Sequence, residues 1–416
     1  MSNQWDFETR SIHSGFDQDE KTGATAVPIY ETASFAYNTA EDLADAFQNR
    51  KFGYLYSRIT NPTVSVLEQR VTALENGRGA VVTASGMAAI TTVIYTLVKP
   101  GDEIVSSKSL FGGTLQLFKE IFNSFGVDVI YVDPTDSNAF EKAVTPRTSL
   151  FFLETIGNPK LDVANVAEIA GVAQRNNIPL VVDSSLTTPY LFEAKRFGAN
   201  IVIHSTSKYI SGSGHTIGGV LVDLGNYDWI HARSPLVRES AKKAGDFGFL
   251  ARCRRQVLQN TGSCQSPFNA YLQCLGLETL ALRMERHCSN ALALAGFLAD
   301  HPGVQSVCYP GLPEHANFDI ARTQFGGKFG GLLTIRLGTL ERCFEFIRRL
   351  KVAKNLANLG DAKTVVIHPA STIYCTCSEE EQLVAGVYPD LIRVSVGIES
   401  IHDIIGDFDQ ALGGVK

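Results

Sequence analysis

The chain has 416 residues, 44% of them hydrophobic and 19% charged. That is enough apolar chain for two or three packed domains, and it excludes a disordered, collagen-like or disulfide-stapled protein. With 43 acidic and 37 basic residues, the formal net charge of -6 argues against nucleic acid as a partner.

The eight cysteines all lie at or beyond Cys253. In a long chain they read as reduced thiols of a cytoplasmic protein. The start MSNQWDFETR lacks a basic stretch followed by an apolar run, so no secretory leader is expected. The most apolar span, 80–98, carries Thr83, Ser85, Thr91, Thr92 and Thr96. It is too polar for a membrane crossing, and its second part reads as a buried helix.

Residues 1–63 are rich in turn formers and aromatics. The segment GYLYSRITNP at 53–62 has few periodic apolar positions and reads as an arm that wraps a neighbour. From 64 to 260 the pattern alternates. Val64, Leu67, Val71 and Leu74 mark a helix stopped by Gly77. Six short apolar runs follow: GAVVTAS, DEIVSS, VDVIYVD, SLFFLET, IPLVVDS and ANIVIHS. Helical stretches such as 166–176 separate most of them. Apolar runs without alternation predict strands buried on both faces, hence an α/β fold with a mostly parallel sheet and helices on both faces. From 261 to 416 a long helix is expected over 276–300. Strand-like GGLLTIRLG and LIRVSVGI then alternate with helices at 341–351 and 401–412, which reads as a smaller α+β domain.

Ligands in such sheets bind at the carboxyl ends of the strands. The strongest motif there is HSTSKYISGSGHTIGG, 204–219. A strand-end lysine is most often a solvated charge. Lys208, however, stands between hydroxyls and a Gly/Ser loop that permits close approach of a ligand. Partly desolvated, its amine has a lowered pKa and is suited to Schiff-base chemistry. Asp183 ends the run IPLVVD. Alone it reads as a helix cap; beside such a lysine it also suits a protonated pyridine nitrogen. Thr83–Ile90, TASGMAAI, runs a strand through Ser85, Gly86 and Met87 into a helix start, a phosphate cradle. Aldehyde trap, nitrogen partner and cradle are together what pyridoxal phosphate requires. Arg393, inside the strand DLIRVSVGIES, is costly unless paired. It is either one half of a structural ion pair or a bidentate clamp for a substrate carboxylate. No metal is expected: Cys375-Thr376-Cys377 lacks zinc-site spacing, and no HExxH motif occurs.

On the motifs AVPIYETASF, YSRITNPT, ASGMAAI, ETIGNP, VVDSS, HSTSKYISGSGHTIGG, SPFNAYL, GLETLALRMERHC, NLGDAKTVVIHPAS and LIRVSVGIES, the chain resembles the Cys/Met-metabolism family of pyridoxal phosphate enzymes from about Phe7 to Leu412. The resemblance implies the aspartate-aminotransferase-like fold (fold type I). It implies residues 1–63 as an arm contacting a neighbouring subunit, 64–260 as the cofactor-binding domain and 261–416 as the C-terminal domain. It makes Lys208 the Schiff-base lysine and proton shuttle, and Asp183 the ring-nitrogen partner. Asn158 stands near the ring hydroxyl. Ser85, Gly86, Met87, Ser205 and Ser207 surround the phosphate. Tyr56 and Arg58 reach it from a neighbouring subunit, Tyr56 with a catalytic hydroxyl. Arg393 holds the substrate carboxylate, with Asn358 also at the substrate. The assembly implied is a homotetramer.

The wording of ETIGNP, GHTIGG and the last 60 residues is most similar to members that act on O-acetylhomoserine. The implied reaction is replacement of acetate by a sulfur nucleophile at the γ-carbon, giving homocysteine for methionine biosynthesis. The implied partners are an amino-acid substrate and a sulfur donor: sulfide, methanethiol, cysteine or sulfur carried on a protein. The alternatives are a γ-lyase acting on methionine or cystathionine, a cystathionine γ-synthase, and a cofactor-binding protein that has lost catalysis. The presence of Lys208, Asp183 and Arg393 weighs against the last. One departure is Phe111, where the family usually has a tyrosine that stacks on the cofactor. Phe111 keeps the stacking face without the hydroxyl, which favours a weakly basic leaving group such as acetate over a thiolate. The segment 228–251 is shorter than in many such relatives, where it approaches the active-site entrance.

Overall fold

The computed structural model describes residues 5–413. Seven strands form the larger sheet: β1 Gly79–Thr83, β2 Glu103–Ser107, β3 Asp128–Val132, β4 Thr148–Glu154, β5 Leu180–Asp183, β6 Ile201–His204 and β7 Gly219–Asp223. Their order is β1-β7-β6-β5-β4-β2-β3. Neighbours from β6 to β3 run parallel, and β7 is antiparallel to both β1 and β6. The first six strands are the six apolar runs. The seventh, GVLVD, follows so closely on the lysine motif that its pattern merges with it.

The continuous apolar character has a direct cause. Val82, Val105, Phe151, Leu153, Val182 and Val202 face one apolar cluster. Val81, Ile104, Leu150, Phe152, Val181 and Ile201 face the other. Alternate side chains enter opposite cores, so the inner strands leave almost no position for water, whereas the edge strand β3 is partly exposed. Helices cover both faces. Gly86–Leu97 carries Ile90 and Val93 into the second cluster, and Pro62–Leu74 carries Leu67 and Val71 into the first.

The smaller sheet comprises β8 Ser306–Cys308, β9 Leu332–Arg336, β10 Lys354–Asn355, β11 Val365–Ile367 and β12 Leu391–Ser395, in the order β10-β11-β12-β9-β8. Leu333, Ile335, Ile392 and Val394 share the first cluster with the large sheet, so the two sheets are joined by one core. The helix expected over 276–300 is two helices, Pro267–Glu278 and Leu280–Ala299. A Cβ on Gly276 would lie 2.2 Å from the carbonyl oxygen of Ile210. The glycine lets the first helix press on the backbone just after Lys208.

Residues 5–60 contain the helices Phe7–His13 and Ala40–Phe47 and no ladder strand, only an isolated bridge between Ser34 and Tyr56. Phe52 is 83% exposed, and Phe47 and Tyr56 are also exposed. Segment 228–251 folds back onto the sheet: Trp229 stacks on Phe249 at 4.6 Å, and Trp229, Val237 and Ala241 enter the second cluster. No helix among the described residues is long and apolar enough to cross a membrane.

Candidate active site

The carboxyl ends of β1, β2, β4, β5 and β6 and the start of β7 share one edge of the sheet, and the loops leaving that edge carry the expected residues. Ser85 caps its own helix, its Oγ accepting from Ala88 N at 3.1 Å. The first N–H groups of a helix have no intrahelical acceptor, so those of Gly86 and Met87 favour an anion. The turn is pinched from both sides. A Cβ on Gly86 would lie 2.7 Å from Ser205 Cβ, and one on Gly219 would lie 2.2 Å from Ser85 O. Glycine is what brings the cradle and Ser205 together. Ser205 N donates to Ser185 Oγ at 2.6 Å. Ser207 is committed within the chain: its hydroxyl donates to Gly218 O at 3.2 Å and accepts from Gly218 N at 2.9 Å. Of the two serines, Ser205 is the one facing the cradle.

Lys208 follows on the turn after β6, half-buried, with its Nζ donating to Asn358 Oδ1 at 2.8 Å. Burial, and then the nearby Arg393, lower its pKa to about 8. At neutral pH the amine is still mostly ammonium, but its free-base fraction is far larger than that of an exposed lysine. Asp183 lies at the end of the adjacent strand. Its Oδ1 accepts from Ser185 N at 2.8 Å. Burial raises its pKa, while Ser185 and His204 oppose the rise. A pyridinium cation against it would restore the ionised form.

Phe111 begins the short helix Gly112–Gln116, and 38% of its surface is exposed. Its ring lies over Gly113, where a Cβ would come within 2.7 Å. Its backbone N–H donates to Glu154 Oε1 at 2.7 Å. Glu154 ends β4 directly opposite Asp183 in register. Burial, then the Asp183 charge, push its carboxyl well above the usual range.

Arg393 lies in β12, whose five residues are all buried. It donates to Asn158 Oδ1 at 3.1 Å and to Asn358 O at 2.9 Å. Its Nε has no partner, and among the described residues no carboxylate lies within ion-pair distance of it. Of the two readings of this arginine, the structural ion pair is absent. Burial lowers its pKa to about 10. Asn358 thus bonds Lys208 through its side chain and Arg393 through its backbone, placing amine and guanidinium around one space.

Tyr56 and Arg58 stand apart. Arg58 packs 5.5 Å over the Tyr56 ring and donates to Gln259 O. Neither makes a hydrogen bond to Lys208, Ser205 or Gly86 of the same chain. Two further residues, Glu154 and Tyr374, shape the site without having been singled out in the sequence. The fully buried Tyr374 places its hydroxyl 3.0 Å from Asn158 O and 3.2 Å from Leu110 O. The strand-end position of Glu154 was the available signal; Tyr374 offered none. Among the described residues no three His, Cys, Asp or Glu side chains group as a metal site would need.

An anion cradle, an amine of lowered pKa, a carboxylate one strand away, an exposed aromatic face and a buried cation without a counter-charge among the described residues fit pyridoxal phosphate carrying an amino acid. The comparisons agree. The model of the Cys/Met metabolism PLP-dependent enzymes matches residues 8–413. The chain is 40% identical to the O-acetyl-L-homoserine sulfhydrylase of Leptospira meyeri, covering 98% of this chain and 97% of that protein. It is 41% identical to the homocysteine synthase of Schizosaccharomyces pombe, covering 98% of each. A Campylobacter jejuni structure, provisionally named O-acetylhomoserine (thiol)-lyase and holding N'-pyridoxyl-lysine-5'-monophosphate, superposes with a TM-score of 0.91 at 31% identity, covering 99% of this chain and 100% of that one. The chain therefore belongs to the Cys/Met metabolism family of pyridoxal phosphate-dependent enzymes.

Proposed function

We propose that the protein replaces the acetate of O-acetylhomoserine by a sulfur nucleophile, giving homocysteine and acetate. The observation that carries this is Arg393, a buried guanidinium with no counter-charge among the described residues, joined through Asn358 to the amine of Lys208, whose pKa is lowered by burial. An α-amino acid whose carboxylate occupies Arg393 has its α-carbon presented to Lys208. Bound pyridoxal phosphate supplies the electron sink there. Lys208 takes the α-proton and carries a proton at the neighbouring carbon, and acetate then leaves from the γ-carbon. Phe111 offers no hydroxyl to a departing group, which suits acetate, a weak base, better than a thiolate. The sulfhydrylase and synthase names of the relatives support the same substrate.

Tyr56 and Arg58 act on the phosphate of a neighbouring subunit, within a homotetramer. This fits a segment of exposed aromatics whose Arg58 bonds Gln259 O and makes no hydrogen bond to Lys208, Ser205 or Gly86 of its own chain. On this reading residues 1–63 are that arm, 64–260 bind the cofactor and 261–416 form the C-terminal domain. Ser205, with the Gly86 and Met87 amides, holds the phosphate, and Asn158 stands at the ring hydroxyl. The compartment is the cytoplasm, in keeping with eight free thiols.

The experiment supplies the purified holoenzyme with O-acetylhomoserine and, in turn, sulfide, methanethiol, cysteine or a sulfur-bearing carrier protein. Methionine alone is the parallel reaction. Homocysteine and acetate in equal amounts with sulfide are expected. Release of 2-oxobutanoate from methionine without any replacement product would assign the chain to the γ-lyases instead.

A further inference from the structure

We propose that Cys375 and Cys377 form a thiol–disulfide exchange site, taking small-molecule disulfides, built into a turn that braces the active site. Of the described cysteines Cys375 is the exposed one, and Cys377 is half-buried. Cys253, Cys274 and Cys343 are instead buried in apolar surroundings that push their thiols up to about 12, and such thiols are inert.

The two residues lie in consecutive turns. Cys375 N donates to Thr372 O at 3.1 Å and Cys377 N to Tyr374 O at 3.0 Å. Turn backbone, unlike extended backbone, shortens the Cα separation of residues two apart toward the roughly 4.4–6.8 Å that a disulfide spans. Burial, then the Glu381 charge, raise the Cys377 pKa and Cys375 adds to the rise, while Lys119 opposes it.

The exchange balances with the disulfide as oxidant. The Cys375 thiolate attacks R–S–S–R, forms a mixed disulfide and expels one RS⁻. The Cys377 thiolate then attacks the Cys375 sulfur and expels the second. Two electrons pass to the small disulfide, and two protons from the protein thiols convert its halves to RSH. An exposed, small-ring disulfide of this kind is readily reversed by a dithiol.

The turn and the helix after it meet the segment 110–119 and Asn158 at four points. Between its walls, Gln116 Nε2 donates to Thr376 Oγ1 at 2.9 Å, and Lys119 pairs with Glu381 at 2.6 Å. Next to Cys375, the buried Tyr374 holds Leu110 O and Asn158 O, the neighbours of the stacking Phe111 and of Arg393 respectively. Closing a disulfide around Thr376 tightens the turn and draws the Tyr374 hydroxyl away from one or both carbonyls. The position of Phe111 and the aim of Asn158 depend on those contacts.

The test treats the holoenzyme with oxidised glutathione, alkylates free thiols and maps the peptides. The expected result is a peptide holding both Cys375 and Cys377, lighter by two hydrogens and unalkylated. Cys377→Ser should instead stop with glutathione on Cys375. Oxidation should lower kcat/KM about fivefold, the low end of ordinary coupling between distinct sites. Dithiothreitol should restore it, and the Cys375→Ser/Cys377→Ser double variant should not respond. Full alkylation of both cysteines after treatment, or a closed disulfide with unchanged kcat/KM, would overturn the proposal. The kinetic arm rests on the proposed function, whereas the peptide map needs no turnover, so failure of one is distinguishable from failure of the other.

Discussion

Lys208 titrates from about 8 because burial and Arg393 both disfavour its ammonium form, whereas an exposed lysine titrates near 10.5. Apoprotein should therefore capture pyridoxal phosphate at a rate that rises with a midpoint near pH 8, followed by the growth of visible absorption. A midpoint near 10.5 would show an ordinary surface amine. The sign for stability follows from the same shift. Between those two pH values the unfolded chain binds a proton that the native state does not, so native apoprotein gains stability as pH rises through that window. Arg393→Lys removes the fork that matches a carboxylate. It should cost about ten- to a hundredfold in kcat/KM for the amino acid, the worth of a charged hydrogen bond. Steady-state kinetics with O-acetylhomoserine check this, and an unchanged value would place the carboxylate elsewhere. Phe111→Tyr restores a hydroxyl over the ring, so elimination from cystathionine should rise relative to replacement on O-acetylhomoserine. Lys208, Asp183 and Arg393 were legible in the sequence because each is a polar residue set against an apolar strand. Glu154 and Tyr374 were not assigned, because their effect comes from partners 43 and 264 residues away that only the fold brings close.

Strands β1 to β6 could be read directly, since burial on both faces of the inner ones writes an uninterrupted apolar run. Strand β7 could not be isolated, and the two- and three-residue strands β8, β10 and β11 are too short to carry a pattern. The break at Thr279 was hidden because apolar spacing continues across it. What β7 contributes is clear from Gly219. It lets an antiparallel strand begin against the Ser85–Gly86 turn, so that cradle and strand support each other. Gly219→Ala has no flexible atom to displace, because the obstacle is the Ser85 carbonyl at 2.2 Å. A loss of about 1–3 kcal/mol in apoprotein stability is expected, together with weaker cofactor binding, measured by denaturant unfolding and by cofactor titration. Wild-type values for both would mean that the cradle is not braced by β7.

At the scale of the whole molecule, the proposed arm is the part whose role depends on an assembly. Its exposed Phe47, Phe52 and Tyr56, and its Arg58, which bonds Gln259 O and makes no hydrogen bond to the chain's own Lys208, are what a shared site would require. If the site is shared, Lys208→Ala and Arg58→Ala chains are each impaired alone, yet a mixed dimer contains one intact site. Activity should therefore reappear on subunit exchange, and no recovery in verified hybrids would make each chain self-sufficient. The central proposal is that the Lys208 amine holds the cofactor. The most direct measurement reduces the holoenzyme with borohydride, digests it and locates the pyridoxyl group by mass spectrometry. The account predicts a single adduct on the peptide containing Lys208, lost in Lys208→Ala. An adduct on another lysine, or none in protein that retains activity, would contradict it.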